Sequence, residues 1–138
     1  MADPGYVLHP IGWVESPLVD SDAAPNQGDE GAPDAWLVLD PSVQRAMREL
    51  EVGTQMIVLT WLDRADRDTL AVHPRGDTSR PATGVFGTRS PDRPNPIGLH
   101  TVEILAIEDT RIRVRNLEAL DRTPVIDLKP VLGPVEER

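Results

Sequence analysis

The densest set of groups able to do chemistry stands between Gly84 and Leu99, in the run GVFGTRSPDRPNPIGL. Thr88, Arg89, Ser90, Asp92, Arg93 and Asn95 fall close together there, with Pro91, Pro94 and Pro96 threaded among them. Proline fixes φ near −65°, removes an amide donor and pushes the residue before it out of the helical region. Ser90, Arg93 and Asn95 each precede a proline, so the segment is expected to run as an extended, nearly rigid loop and not as a helix. Ordering so stiff a loop costs little when a ligand arrives, which suits binding. Arg89 and Arg93 each offer a planar fork for a carboxylate or phosphate. Either could instead pair with Asp92 or a partner chain, and a Pro-rich surface linker is the plainer alternative.

A second constellation lies near the end of the chain, at Asp121, Asp127 and Lys129. The spacing Asp127-x-Lys129 puts both side chains on one face of a strand. Such a pair is either a plain salt bridge or a working group, with Asp127 accepting a hydrogen bond from a ligand or helping remove a proton from nitrogen. His9, His73 and His100 are dispersed and form no short-spaced ligand pair, so no metal site is expected. His100 directly follows the proline-rich run and is read as a strand-surface histidine, with a general base as the alternative. No Gly-x-Gly-x-x-Gly follows a strand, which disfavours a Rossmann-type nucleotide fold.

The elements that must hold these groups are mostly strands. Tyr6 to Val14 reads as a strand kinked at Pro10 and Gly12, and residues 17–35 as a long loop without any period. Trp36–Leu39 is a short strand. Asp40 then resembles an N-cap with Pro41 in the first helical position. Val43, Ala46, Met47 and Leu50 fall on one helical face, and Gly53 marks the end. Met56–Leu62 is apolar at nearly every place and is expected to be buried on both sides. Thr69–His73 forms a further strand. Leu99–Ile107 and Arg111–Val114 flank a hairpin turn at Glu108-Asp109-Thr110, and Val125–Leu128 closes the set. Arg111, Arg113 and Arg115 share one face, read as solvated, with a phosphate-contacting strip as the alternative.

The length of 138 residues allows one domain with a real core. The chain has no cysteine, so disulfides and thiolate metal sites are excluded, which fits a reducing cytoplasm. No apolar run reaches the roughly 18 residues of a membrane span, and no signal peptide is evident. The net charge of −9 is uneven: residues 1–44 carry eight acids and no Lys or Arg, against 15 acids and 14 bases in the remainder. Nucleic-acid binders normally show a basic face. Here only Arg75, Arg80, Arg89 and Arg93, set against Asp77 and Asp92, make a locally positive region, enough for one or two phosphates or a carboxylate.

The wording of the 84–99 run resembles the signature of the TsaA/TrmO-like family, usually written with Ala in place of Gly87. The likeness continues in LDRTPVIDLKP from Leu120 to Pro130, and upstream in Ile11-Gly12, Glu15-Ser16-Pro17 and Asn26-Gln27-Gly28. It implies a mainly β protein, a single small closed β-barrel with one short helix, working as a homodimer. It implies S-adenosyl-L-methionine as cofactor and methyl transfer to nitrogen, N6 of threonylcarbamoyladenosine beside the tRNA anticodon in the best-known members. The implied cofactor set is Gln27, Phe86, Thr88, Arg89, Ser90, Arg93, Asn95 and Leu128, with Phe86 and Leu128 walling the adenine. Asp127 and Lys129 are the catalytic candidates, and His100, Asp121 and Arg122 the substrate-sensing ones. Arg122 stands for a usual glycine, Val131 for a tyrosine, Glu118 for an aspartate and His100 for a serine. The chain is read as one domain, 1–138, without the additional C-terminal domain of the tRNA enzymes. That reading and the acidic balance favour a small-molecule acceptor, while the resemblance favours tRNA. A non-catalytic module that only binds the cofactor is the third reading.

Overall fold

The computed structural model describes residues 4–19, 31–73 and 76–134. Asn26, Gln27 and Arg75 lie outside the described residues. The strands run β1 Gly12–Glu15, β2 Ala35–Leu39, β3 Gln55–Trp61, β4 Ala71–Val72, β5 Thr83–Gly84, β6 Ile97–Glu108, β7 Arg111–Arg115 and β8 Pro124–Pro130. Six of them pair antiparallel in the order β1-β2-β7-β6-β3-β8. β8 also pairs back to β1 through Gly12↔Val125 and Trp13↔Pro124, so the order returns on itself. β4 and β5 form a separate two-stranded ribbon.

Period-two alternation builds this sheet. Val14 of β1, Leu37 of β2, Val58 of β3, Ile112 and Val114 of β7, and Val125 of β8 are fully buried in one core, with Leu117 after β7. Each such side chain contributes roughly 1.5–3 kcal/mol by leaving water. β3 was expected to be buried on both sides, and it is not. Met56, Val58 and Thr60 point into the core, whereas Ile57, Leu59 and Trp61 are only half-buried. A single-layer antiparallel sheet has one inner face, and among the described residues no second layer of strands or helices covers the outer one. Gly12 is required where β1 meets β2, since a Cβ there would stand 2.2 Å from the Val38 carbonyl oxygen.

The expected strand from Tyr6 shrinks to β1, and Tyr6 and Val7 are exposed. The expected strand over Thr69–His73 is only β4. The expected helix is a 3₁₀ helix, Pro41–Met47. Its start is as read: Asp40 Oδ1 accepts from the Ser42 amide at 2.9 Å, with Pro41 in first position. It ends well before Gly53, because Arg48 turns extended and Glu49 takes φ 71°. Val43, Met47 and Leu50 pack against the core while Ala46 stays exposed.

The β6–β7 hairpin turns at Asp109-Thr110, with Asp109 in the left-handed region at φ 54°. Its outward arginines are engaged by carboxylates. Arg111 pairs with Glu15 at 3.0 Å and lies over Trp36 at 4.6 Å. Arg113 pairs with Asp34 at 3.2 Å and Arg115 with Glu103 at 3.7 Å. The solvated-face reading therefore fits them. Among the described residues no helix is long and apolar enough to cross a membrane.

Candidate functional site

The loop joining β5 to β6 begins with a 3₁₀ turn, Val85–Gly87, which the sequence reading did not anticipate. The prolines restrict only their neighbours, and the first of them stands at position 91. From there the hydroxyls stitch the chain to itself. Thr88 Oγ1 donates to the Val85 carbonyl at 3.0 Å and accepts from the Ser90 amide at 3.1 Å. Ser90 Oγ accepts from the Asp92 amide at 3.2 Å. Thr88 and Ser90 thus shape the loop locally, as short hydroxyl side chains do in turns.

The two arginines part company. Arg93 donates from Nε to the Ser90 carbonyl at 2.8 Å and from Nη2 to the carbonyls of Val85 and Thr88 at 2.7 and 2.6 Å. It clamps the loop from inside, so these three carbonyls already have a partner. Arg89 is exposed and makes no hydrogen bond or ion pair among the described residues, so its fork is open to an anion. Asp92 pairs with neither; it accepts from the Asp66 amide at 2.9 Å. Arg67, which sequence reasoning missed, holds the far end of the loop. Its guanidinium donates to the Pro94 carbonyl at 2.8 Å and to Asn95 Oδ1 at 3.1 Å. It also lies over Trp61 at 5.2 Å.

Between this loop and the sheet lies a cavity of about 340 Å³, the lower part of the size range of small-molecule sites. Leu59, Leu62, Ile97 and Leu99 give it apolar walls, and Arg89, Ser90 and Arg93 line it from the loop. Gly98, His100 and Glu118 complete the lining. Of the residues expected to wall an adenine, Phe86 is 84% exposed and Leu128 packs against the core, so neither lines the cavity.

His100 is not a strand-surface residue. It is 4% exposed, pointing inward with Gly98, Val102 and Ile104 of β6. Its Nε2 is 2.7 Å from Thr60 Oγ1 and its Nδ1 2.6 Å from Glu118 Oε1. A carboxylate only accepts, so Nδ1 carries the proton in that contact. The ring has room because residue 98 is glycine: a Cβ there would stand 2.3 Å from Thr60 Oγ1 and 2.7 Å from His100 Nε2. Thr60 escaped the sequence reading, whereas Gly98 stood in the 84–99 run and Glu118 was read only as a departure from the family's aspartate. The inward parity of β6 could have placed Gly98 and His100, and that of β3 Thr60, but no local signal places Glu118 beside the ring.

The remaining candidates lie off the cavity. Asp121 Oδ1 accepts from the Ser16 amide at 2.9 Å and so ties the turn before β8 to the end of β1. Arg122 has φ 68° and an 85% exposed side chain. Its left-handed backbone is a physical reason for the glycine usual in the signature, and it sets the turn without reaching the cavity. Asp127 and Lys129 form an ion pair at 3.2 Å, each about half exposed. Asp127 lies opposite Leu59 in the register and so shares the outer face with a cavity-wall residue. Among the described residues no three acidic, histidine or cysteine side chains come together as a metal site.

Residues 13–136 match the model of the tRNA-methyltransferase O N-terminal domain. The chain belongs to this family. An S-adenosyl-L-methionine-binding protein of Archaeoglobus fulgidus is 46% identical over 123 residues, spanning 89% of this chain and 87% of that protein. A probable S-adenosyl-L-methionine-binding protein from the same archaeon is 40% identical over 129 residues, 94% of this chain but 35% of its own length. The crystal structure of TrmO from Pseudomonas aeruginosa superposes with a TM-score of 0.76 at 28% identity, over 95% of this chain and 56% of that one. The chain thus spans about a third of one of these relatives and just over half of the solved TrmO chain.

Proposed function

We propose that this member of the tRNA-methyltransferase O N-terminal domain family is an S-adenosyl-L-methionine-dependent methyltransferase acting on a nitrogen acceptor. The observation that carries the reading is the cavity under the 84–99 loop, where Arg89, unengaged among the described residues, lines an apolar-walled space floored by His100 and Glu118. Methyl transfer from a sulfonium is an in-line displacement, so the protein chiefly has to orient two reactants. A loop already clamped by Arg93 and Arg67 does that at little ordering cost. The relatives named for S-adenosyl-L-methionine support the cofactor. The return of β8 onto β1 supports reading the sheet as the small closed barrel that carries such a site. Within this reading Gln27 completes the cofactor site, Asp127 and Lys129 assist at the acceptor nitrogen, and the 84–99 loop of one chain lies near a homodimer interface. Sedimentation that shows a fully active monomer at micromolar concentration would refute the dimer.

The acceptor we favour is N6 of threonylcarbamoyladenosine in tRNA, supported by the likeness to the TrmO structure. A small-molecule acceptor is the second reading, supported by the engagement of Arg111, Arg113 and Arg115 with carboxylates and by the net charge of −9. Methyl-labelled cofactor incubated with unmodified tRNA, threonylcarbamoylated tRNA and a metabolite extract separates the two. With few free cations among the described residues, a tRNA substrate should give a log–log salt slope of only about 2–4, at roughly 0.9 per neutralised phosphate and less on single strands. Label in the metabolite extract alone would overturn the tRNA reading. Cofactor binding with no labelled product would leave a binding module.

A further inference from the structure

The cavity holds one carboxylate oxygen whose place the loop chemistry does not account for. Glu118 Oε1 is held by His100 Nδ1 at 2.6 Å, and that ring is fixed in turn by Thr60 at 2.7 Å. Oε2 makes no bond among the described residues. It is not sealed away, because no buried side-chain nitrogen or oxygen there lacks a partner and the Glu118 side chain is 18% exposed. His100 is 3% exposed at its side chain, so the ring that aims the carboxylate cannot swing out to solvent without losing both bonds. Arg89 lines the same cavity from the loop, and its guanidinium is unengaged among the described residues. Leu59, Leu62, Ile97 and Leu99 line the same space with apolar surface.

The geometry points to a counter-charge site at Glu118: its Oε2 takes the cationic group of a small molecule whose anionic group is gripped by Arg89, with His100 as the residue that positions the carboxylate. A held anion and an unengaged cation lining one apolar-walled space select a ligand carrying both charges, because a ligand with only one would leave the other unpaired. This rests on the cofactor reading above, in which the cationic group is either the sulfonium or the α-ammonium of S-adenosyl-L-methionine.

Calorimetry with three probes on the full chain tests it: S-adenosyl-L-methionine, S-adenosyl-L-homocysteine, which lacks the sulfonium charge, and 5′-methylthioadenosine, which carries no charge. Glu118→Gln keeps the shape and the acceptor toward His100 but removes the charge. It should weaken S-adenosyl-L-methionine by at least about tenfold, which corresponds to about 1.4 kcal/mol, while leaving 5′-methylthioadenosine unchanged. Weakening of the sulfonium ligand alone assigns the site to the sulfonium; equal weakening of the homocysteine compound assigns it to the ammonium. His100→Asn should reproduce the same selective loss, since it frees the carboxylate that the ring aims. Unchanged affinity for all three ligands in Glu118→Gln, or parallel loss of all three, overturns the site. Failure of the unsubstituted chain to bind S-adenosyl-L-methionine at all would instead overturn the cofactor reading.

Discussion

Arg93 donates from Nη2 to the carbonyl oxygen of Val85 at 2.7 Å, eight residues back along the chain. With its bonds to Thr88 and Ser90, this makes Arg93 a strut inside the loop it belongs to. Arg93→Ala should therefore lower stability by about 2 kcal/mol, within the range for hydrogen bonds to charged groups. Arg93→Lys should recover little of it, because an ammonium cannot reproduce the planar fork. Arg89→Ala should change stability by less than about 0.5 kcal/mol yet weaken S-adenosyl-L-methionine by roughly 1.5–3 kcal/mol. Urea titration and calorimetry on the three variants check the split. Equal stability loss at positions 89 and 93 would remove the distinction.

Gly98 is glycine because Thr60 and His100 occupy the space beside it. Gly98→Ala should destabilise the protein by about 1–3 kcal/mol, the usual range for overpacking. The contacts at 2.3 and 2.7 Å are to side-chain atoms, so Thr60→Ala in the same chain should restore part of the loss. Gly12→Ala should have no such rescue, since its 2.2 Å contact is to the Val38 backbone. A double-mutant cycle on positions 60 and 98 measures the coupling. Strict additivity there would show that the clash is relieved elsewhere.

Arg122 holds φ 68° with an 85% exposed side chain whose one ion pair among the described residues is a 4.0 Å contact to Asp121. A left-handed residue other than glycine costs roughly 1–2 kcal/mol, and so distant a surface pair contributes little. Arg122→Gly should thus raise stability by about 0.5–1 kcal/mol after the added freedom of glycine in the unfolded chain is set against it. Thermal unfolding decides this. A lower midpoint would mean that the arginine makes up for its backbone.

The Asp40 cap predicts a pH effect of stated sign. Hydrogen bonds from the Ser42 amide, and then from its hydroxyl, hold the carboxyl of Asp40 below its ordinary 3.8. A carboxylate lowered in the folded state contributes stability above its unfolded pKa and loses it as pH falls through the folded value. Asp40→Asn keeps a capping oxygen but has nothing to protonate. Its stability should fall less on acidification below about pH 4 than that of the unsubstituted chain. Parallel acid limbs for the two proteins would show that the cap does not titrate with folding.

Much of this molecule could be read from residue order alone. Alternation along 97–108 and 111–115 sets the hairpin, because a strand has a period of two whatever surrounds it. The pairing of Asp127 with Lys129 follows from the same parity. Asp40-Pro41 announces a helix start because the cap is a local contact between neighbours. What spacing cannot reveal is which of two like residues is free. Arg89 and Arg93 are the same chemistry four positions apart and line the same cavity, and only the fold of the loop places three carbonyls around Arg93 while leaving Arg89 without a partner among the described residues. His100 reads as a surface residue until register sets Thr60 opposite Gly98 and Glu118 arrives from beyond β7. A buried polar ring is tolerable only once its partners are in place, and those partners lie 40 and 18 residues away along the chain. Tertiary structure alone decides such long-range hydrogen bonding, so the loop was legible in the sequence and the floor of the cavity was not.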